Sequence, residues 1–357
     1  MRKLYLVRHG EPNFPAGKRM CLGSTDLPLS PLGRMQSVLA GAALENKALS
    51  GCYCSPLKRS RETAEYINAP LSCAEGLEEM HAGEWDGLDF ETIRARWPEI
   101  YEARGNNLSL QPPGAEPLEA GAERFERAVA GIIAASEGDI CVVAHASVEK
   151  AFLAPLLGLS LERSRTLDIR YGSISELAIE DGKISVVSAG ELPRPELGER
   201  LCFRLLEAYG APEKTARHSI AVLKKALELT EALQEAGVEL DTKLLLSAAL
   251  LHDIARAGED HEAEGARLLR ALGYPEVAAL IAVHHGAFES FDEAFALALA
   301  DRLIFEEAPV TLRERFEISQ KKCHTPEALA AHESRRIAAF EAARRLNALC
   351  GREAATI

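Results

Sequence analysis

Residues 1–14 read MRKLYLVRHGEPNF. Leu4, Tyr5, Leu6 and Val7 make a short apolar run, the pattern of a buried strand. The run stops at Arg8-His9-Gly10. Residues leaving a strand at the C-terminal edge of a parallel sheet point into the crevice where ligands bind. Arg8 offers a planar fork of donors that suits a phosphate. His9 offers a nitrogen nucleophile. Gly10 lets the backbone turn tightly and approach closely.

Outward from this turn, GCYCS (51–55) and DICVVAHAS (139–147) are further short apolar runs that read as buried strands. Helical patterns lie between them. SPLGRMQSVLAGAAL starts with Ser30 as an N-cap and Pro31 at the first helical position. KRSRETAEYINA (58–69) and LEAGAERFERAVAGIIAASEG (118–138) are amphipathic candidates. ISELAIEDGKISVVSAG (174–190) predicts a hairpin with Asp181-Gly182 in its turn. Alternating strands and helices predict a three-layer α/β domain with a mostly parallel sheet. GELPRPELG (190–198) carries two prolines and breaks both periods. It places a linker at 193–198, between a domain at 1–192 and a second at 199–350. The second half is rich in Ala, Leu, Glu and Arg at helical spacing and reads as all-α.

The 357 residues are too many for one comfortable core, and 47% hydrophobic content supports two. A net charge of -13 argues against a broad nucleic-acid footprint, although a small basic pocket can sit inside an acidic protein. Eight cysteines without a CxxC pair read as free thiols of a reducing compartment. The N-terminus has no signal-peptide pattern, and no apolar stretch is long enough to span a bilayer. The expectation is a cytoplasmic protein with no membrane partner.

The RHG turn has company. SPLKRSRETA places Arg59 after the second strand, and the third strand ends at His145. GLEEMHAGEWDGL (76–88) carries Glu78 and Glu79. Two arginines and two histidines at three strand ends would hold a phosphate and stabilise charge on its oxygens. A nearby carboxylic acid could protonate a leaving alcohol.

Taken in order, LVRHGE, GSTDLPLSPLGRMQS, SPLKRSRETA, LEEMHAGEWDGL and VVAHAS resemble the histidine phosphatases, the phosphoglycerate mutase-like superfamily. The resemblance spans roughly the first 190 residues; RHG alone is not specific, but the combination is. It implies that His9 becomes phosphohistidine, that Arg8, Arg59 and His145 clamp the phosphate, and that Glu79 is the general acid, with Glu78 as the alternative. Asn13 and Ser24 are candidate substrate contacts, and this chemistry needs no cofactor. Pro12 and Ala146 depart from the family pattern, which touches substrate recognition more than the core chemistry. GSTDLPLS and GEWDGL resemble the small-substrate members, such as α-ribazole phosphatases. A mutase is the alternative, but no long insertion encloses a bisphosphate.

In the second half, LLHDIAR places His252 and Asp253 side by side within an apolar helical stretch. Burying such a pair alone is costly, and a shared metal ion removes that cost. His218, His261, His284 or its neighbour His285, and Asp301 are further candidates. Imidazoles with carboxylates suit Fe, Mn, Co, Ni or Zn better than Ca. The ordered H…HD…D set resembles the HD-domain metal phosphohydrolases. The resemblance implies one metal on His218, His252, Asp253 and Asp301. A second, bridged by Asp253, would sit on His261 and His284, with His285 facing the pocket. Arg256 is a candidate phosphate contact. His81, His324 and His332 sit in charged or loop-like settings without partners. The expectation is a bifunctional phosphohydrolase acting on small phosphorylated metabolites or nucleotides. The alternative is a phosphatase whose HD module senses a ligand without turning it over.

Overall fold

The computed structural model describes residues 2–104, 110–258, 260–284, 286 and 290–357. It divides into two units, at Pro195 and Glu196.

The first unit runs β1 (Arg2–Arg8), α1 (Pro31–Leu44), β2 (Gly51–Cys54), α2 (Lys58–Ala64), β3 (Leu71–Cys73), α3 (Phe90–Arg96), α4 (Pro98–Arg104), α5 (Leu118–Ala135), β4 (Ile140–Ala144), α6 (Ala146–Leu156), β5 (Ile174–Glu180) and β6 (Lys183–Glu191). The sheet order is β3-β2-β4-β1-β5-β6. The β3-β2, β2-β4 and β4-β1 pairs are parallel, whereas β5 and β6 pair antiparallel. Leu4 and Leu6 of β1 pack with Ile140 and Val142 of β4 against Phe125 and Val129 of α5 and Val148 of α6. Tyr5 and Val7 pack with Cys141 and Val143 against Ala40 of α1 and Ala64 of α2. Each of the two central strands is therefore covered on both faces. This explains why LYLV and ICVV carry no polar alternation.

Local chemistry sets the ends of the elements. Ser30 Oγ accepts from Gly33 N at 3.0 Å and Pro31 opens α1, as the sequence predicts. Asp181 (φ 49°) and Gly182 (φ 75°) are both left-handed in the β5–β6 turn, the requirement of a two-residue hairpin loop that matches strand twist. Gly10 is forced by proximity: a Cβ there would stand 2.1 Å from Gly33 O. α1 therefore presses directly on the turn after β1. The three-residue, exposed β3 and the short α3 and α4 have no clear sequence signal.

The second unit contains α7 (Glu199–Tyr209), α8 (Glu213–Glu235), α9 (Thr242–Leu251), α10 (His261–Ala271), α11 (Pro275–Val283), α12 (Glu293–Arg302), α13 (Leu312–Gln320) and α14 (Pro326–Cys350). α12 is buried at every position from Ala294 to Arg302, and α9 nearly so from Leu245 onward. Helices that are apolar all round belong at the centre of a bundle. These two deliver Asp301 and the His252-Asp253 pair. One expectation is corrected: the pair lies not inside the helix but just past its end at Leu251. The physical reason is a side-chain cap. His252 Nδ1 takes the carbonyl of Ala249 at 2.8 Å, one of the oxygens a helix end leaves without a backbone partner.

Candidate functional site

The phosphate-pocket candidates converge at the C-terminal edge of the sheet. Arg8 ends β1, His9 follows it, Arg59 sits in the first turn of α2, and His145 links β4 to α6. A cavity of about 350 Å³ opens there, with Arg8, His9, Arg59 and Glu79 in its wall. His9 is nearly buried, and its Nδ1 lies 2.6 Å from Gly10 O. A carbonyl accepts only, so Nδ1 carries the proton and Nε2 keeps its lone pair. Arg59 Nε donates to that Nε2 at 3.3 Å. Burial first, then the charges of Arg59 and Arg8, hold the imidazole well below the usual histidine range. The fold thus selects the neutral imidazole, with the lone pair on Nε2.

Arg59 is itself held. Its Nη1 and Nη2 donate to Thr25 O at 2.8 Å and Gly23 O at 3.0 Å. That loop is pinned from below by Asp86, whose carboxylate accepts from Gly23 N, Ser24 Oγ and Thr25 N at 2.7, 2.7 and 2.9 Å. Burial opposes ionisation of Asp86, but these hydrogen bonds prevail and hold its carboxyl below the usual range. Ser24 therefore serves the loop. Neither it nor Asn13 lies in the cavity wall.

His145 stands behind His9, fully buried, with ring centroids 4.9 Å apart in an edge-to-face pair. Its Nε2 pairs with Ser55 Oγ at 2.8 Å. Arg8 Nη1 donates to Ile169 O at 2.8 Å, and its guanidinium stacks on the Tyr171 ring at 3.7 Å. Glu79 accepts from Ser147 N (3.1 Å) and Val148 N (3.3 Å) at the start of α6. Glu78 turns away: it accepts from Gly76 N at 2.7 Å and faces Arg124. Tyr171, Arg19 and Phe14 also line the cavity, and sequence reading missed them. No local motif marks Tyr171; the antiparallel pairing of β5 with β1 brings it there.

In the second unit, His218, His252 and Asp253 offer ligand atoms within 4.8 Å of one another, and so do Asp253, His261 and His284. Asp253 is common to both groups. Asp301 Oδ1 lies 3.1 Å from His218 Nε2 and 3.7 Å from His252 Nε2. One device recurs. Nδ1 of His218, His252 and His284 pairs with the carbonyls of Glu306 (2.7 Å), Ala249 (2.8 Å) and Ile281 (2.6 Å). Each carbonyl takes Nδ1 and turns the Nε2 side of its ring inward, the orientation that carbonyl-backed metal ligands have. His252 Nε2 and Asp253 Oδ1 are buried and make no hydrogen bond among the described residues. The donor set and these two atoms fit a divalent transition metal. Arg256, more exposed, donates to Asp253 Oδ2. His285 lies outside the described residues. His332, expected to have no partner, is instead buried with Nε2 2.8 Å from Ser319 Oγ. The helical register of α14 turns it inward, beside Phe316.

A family model described as the histidine phosphatase superfamily (branch 1) matches residues 4–191. One described as the HD domain matches 215–305. A glucosyl-3-phosphoglycerate phosphatase of Mycolicibacterium vanbaalenii is 30% identical over 174 residues, 45% of this chain and 77% of that protein. A 2,3-bisphosphoglycerate-dependent phosphoglycerate mutase of Gloeobacter violaceus is 28% identical over 184 residues, 48% of this chain and 83% of that protein. The solved structure of YhfR from Bacillus stearothermophilus matches with a TM-score of 0.50 at 28% identity, covering 53% of this chain and 96% of that one. No helix among the described residues is long and apolar enough to cross a membrane.

Proposed function

The chain belongs to the histidine phosphatase superfamily and carries an HD domain, and from that premise we propose that it is a phosphohydrolase with two sites. The first hydrolyses a phosphomonoester of a small metabolite through phosphohistidine. The observation that carries this reading is the bare Nε2 of His9 beside Arg59 in a cavity wall shared with Arg8 and Glu79. His9 Nε2 attacks phosphorus and the P–O bond to the alcohol breaks. Glu79 gives that oxygen its proton. Arg8 and Arg59 balance charge on the non-bridging oxygens, and His145, held by Ser55, backs His9. Water then attacks phosphohistidine, yields its proton to Glu79 and releases inorganic phosphate. The substrate class follows the named activity of the Mycolicibacterium relative, a phosphate on a sugar-acid metabolite, and the α-ribazole-like GSTDLPLS and GEWDGL stretches.

In the second site, His218, His252, Asp253 and Asp301 would hold one divalent transition metal and Asp253, His261 and His284 another. Bound metal supplies Lewis-acid polarisation of a phosphoryl oxygen and an activated water. Around it, the backbone carbonyls of Ala249, Ile281 and Glu306 fix the imidazoles, and Arg256 offers a cation at the rim for a phosphate or nucleotide.

The test is a phosphorylated-metabolite and nucleotide panel on the full chain, with and without chelator. Chelator-resistant hydrolysis must vanish in His9→Ala, and metal-dependent hydrolysis must vanish in Asp253→Ala. A chain with only the first activity keeps its HD module as a ligand sensor. The Gloeobacter relative supports a second reading, phosphoryl transfer between hydroxyls of phosphoglycerate. Product analysis separates the two, since a mutase releases no inorganic phosphate.

A further inference from the structure

Two thiols stand side by side at the edge of the sheet. Cys54 of β2 and Cys73 of β3 are direct partners in parallel register, with Sγ atoms 3.4 Å apart. Neighbouring strands are about 4.8 Å apart, inside the Cα separation of about 4.4–6.8 Å that a disulfide accepts. The two thiols differ in access. Cys54 is fully buried, whereas Cys73 lies exposed on the edge strand. Burial, then the hydrogen bond to Cys73, pushes the Cys54 thiol up and keeps it protonated. Cys73 is thus the sulfur an oxidant reaches, and Cys54 the one placed to resolve it.

Both strands lead straight into the phosphate pocket. The residue after Cys54 is Ser55, whose Oγ pairs with His145 Nε2 at 2.8 Å, and Arg59 sits in the first turn of the helix that follows. The residue after Cys73 is Ala74, whose N donates to Cys54 O at 2.9 Å, and the same loop carries Glu79. The sulfurs must close from 3.4 Å to about 2.05 Å, a change shared between rotation of the two side chains and the strand ends that carry them. If β2 yields, Ser55 moves against His145; if β3 yields, the Glu79 loop is drawn.

We propose that Cys54 and Cys73 form an oxidation-sensitive dithiol, closed by peroxides, whose closure slows turnover at His9. The chemistry balances in two steps. The Cys73 sulfur attacks a peroxide oxygen, the O–O bond breaks, and Cys73 becomes a sulfenic acid as one water leaves. Cys54 Sγ then attacks Cys73 Sγ, the S–O bond breaks, and hydroxide leaves with the Cys54 proton as a second water. Two thiols lose two electrons and one hydrogen peroxide is reduced. A dithiol restores the pair by exchange.

The test uses the full chain, reduced, freed of reductant and titrated with hydrogen peroxide. Free thiols are then alkylated and the protein is digested with trypsin. The expected product is a cross-linked pair of peptides, 48–58 with 62–94, that survives in Cys52→Ser and disappears in Cys73→Ser and Cys73→Ala. Turnover of p-nitrophenyl phosphate should fall on the order of ten- to a hundred-fold, the cost of sub-ångström to ångström misplacement of catalytic groups. It should recover with dithiothreitol and stay high in peroxide-treated Cys73→Ser. Absence of the linked peptide overturns the proposal, as does a bridged protein with unchanged turnover, or equal loss in Cys73→Ser. Turnover of the reduced protein is measured first. A chain inert at that stage fails the phosphatase reading, and the peptide map still decides the bridge.

Discussion

Arg59 Nε donates to His9 Nε2 at 3.3 Å while both Arg59 terminal nitrogens are held by the carbonyls of Gly23 and Thr25. The cation is therefore fixed before any phosphate arrives. It keeps the proton off His9 Nε2, and in the proposed phosphatase reaction it would sit where negative charge develops, so little reorganisation would be left for the reaction itself.

His9→Ala should abolish phosphoenzyme formation. His9 supplies the one bare imidazole nitrogen in the cavity wall. Labelled substrate quenched on ice should give an acid-labile, base-stable adduct in the wild type and none in the variant. A normal trapped intermediate in His9→Ala would place the nucleophile elsewhere.

The acid limb of kcat/KM should lie below the ordinary histidine value of 6.5. Burial and the two arginines disfavour the imidazolium, so His9 keeps its reactive form as the pH falls through that value. Rates measured from pH 4 to 8, with the substrate's own ionisation allowed for, give the readout (about the range over which ordinary histidine titrates). A limb centred at or above 6.5 that shifts in His9-adjacent charge variants would contradict it.

Asp86→Asn should weaken the pocket without touching substrate. It removes an oxygen that accepts from Ser24 and Thr25 or the one that accepts from Gly23, loosening the loop that holds Arg59. We expect kcat/KM to fall about ten- to a hundred-fold, with about 1–3 kcal/mol lost from stability. Ser24→Ala removes one of these bonds and should cost about 0.5–1.5 kcal/mol with KM little changed. A large KM effect from Ser24→Ala would restore it as a substrate contact.

How far the sequence carries depends on the range of the interaction. Arg8, His9, Arg59 and His145 end or follow strands whose apolar runs are legible locally, so their convergence follows from the topology of a parallel sheet, whereas Glu79 lies beyond the short, exposed β3 and is marked only by its motif. The Asp86 brace and Tyr171 depend on loop paths and on an antiparallel strand, so no periodicity announces them. Glu78 and Glu79 are equal as letters; only the loop's path sends one to the α6 amides and the other to Arg124. In the helical unit the apolar run around LLHD is plain, but the end of α9 is set by the His252 side chain taking Ala249 O, a cap that propensity does not encode.

Glu79→Gln should slow poor leaving groups far more than good ones. An acid that protonates the leaving oxygen matters most when the departing alkoxide is strongly basic. An aliphatic phosphate should lose on the order of 10²-fold or more, and p-nitrophenyl phosphate much less. Equal losses on both would argue that Glu79 only braces the start of α6.

Asp253→Ala should strip the helical unit of metal more completely than any other single change. Among the described residues Asp253 alone belongs to both candidate groups, so its carboxylate would serve either ion or bridge the two. His261 and His284 belong to one group only, and His218 and His252 to the other. Elemental analysis of the wild type should give about two ions per chain if both groups fill, falling to about one in His261→Ala or His284→Ala, and near zero in Asp253→Ala. Stability should follow the same order. Bound metal adds its binding free energy to folding, so chelation should lower the melting temperature of the wild type and leave Asp253→Ala unmoved. Carbonyl-backed imidazoles that kept their metal after loss of Asp253 would show that the histidines suffice, and that Asp253 answers to Arg256 instead.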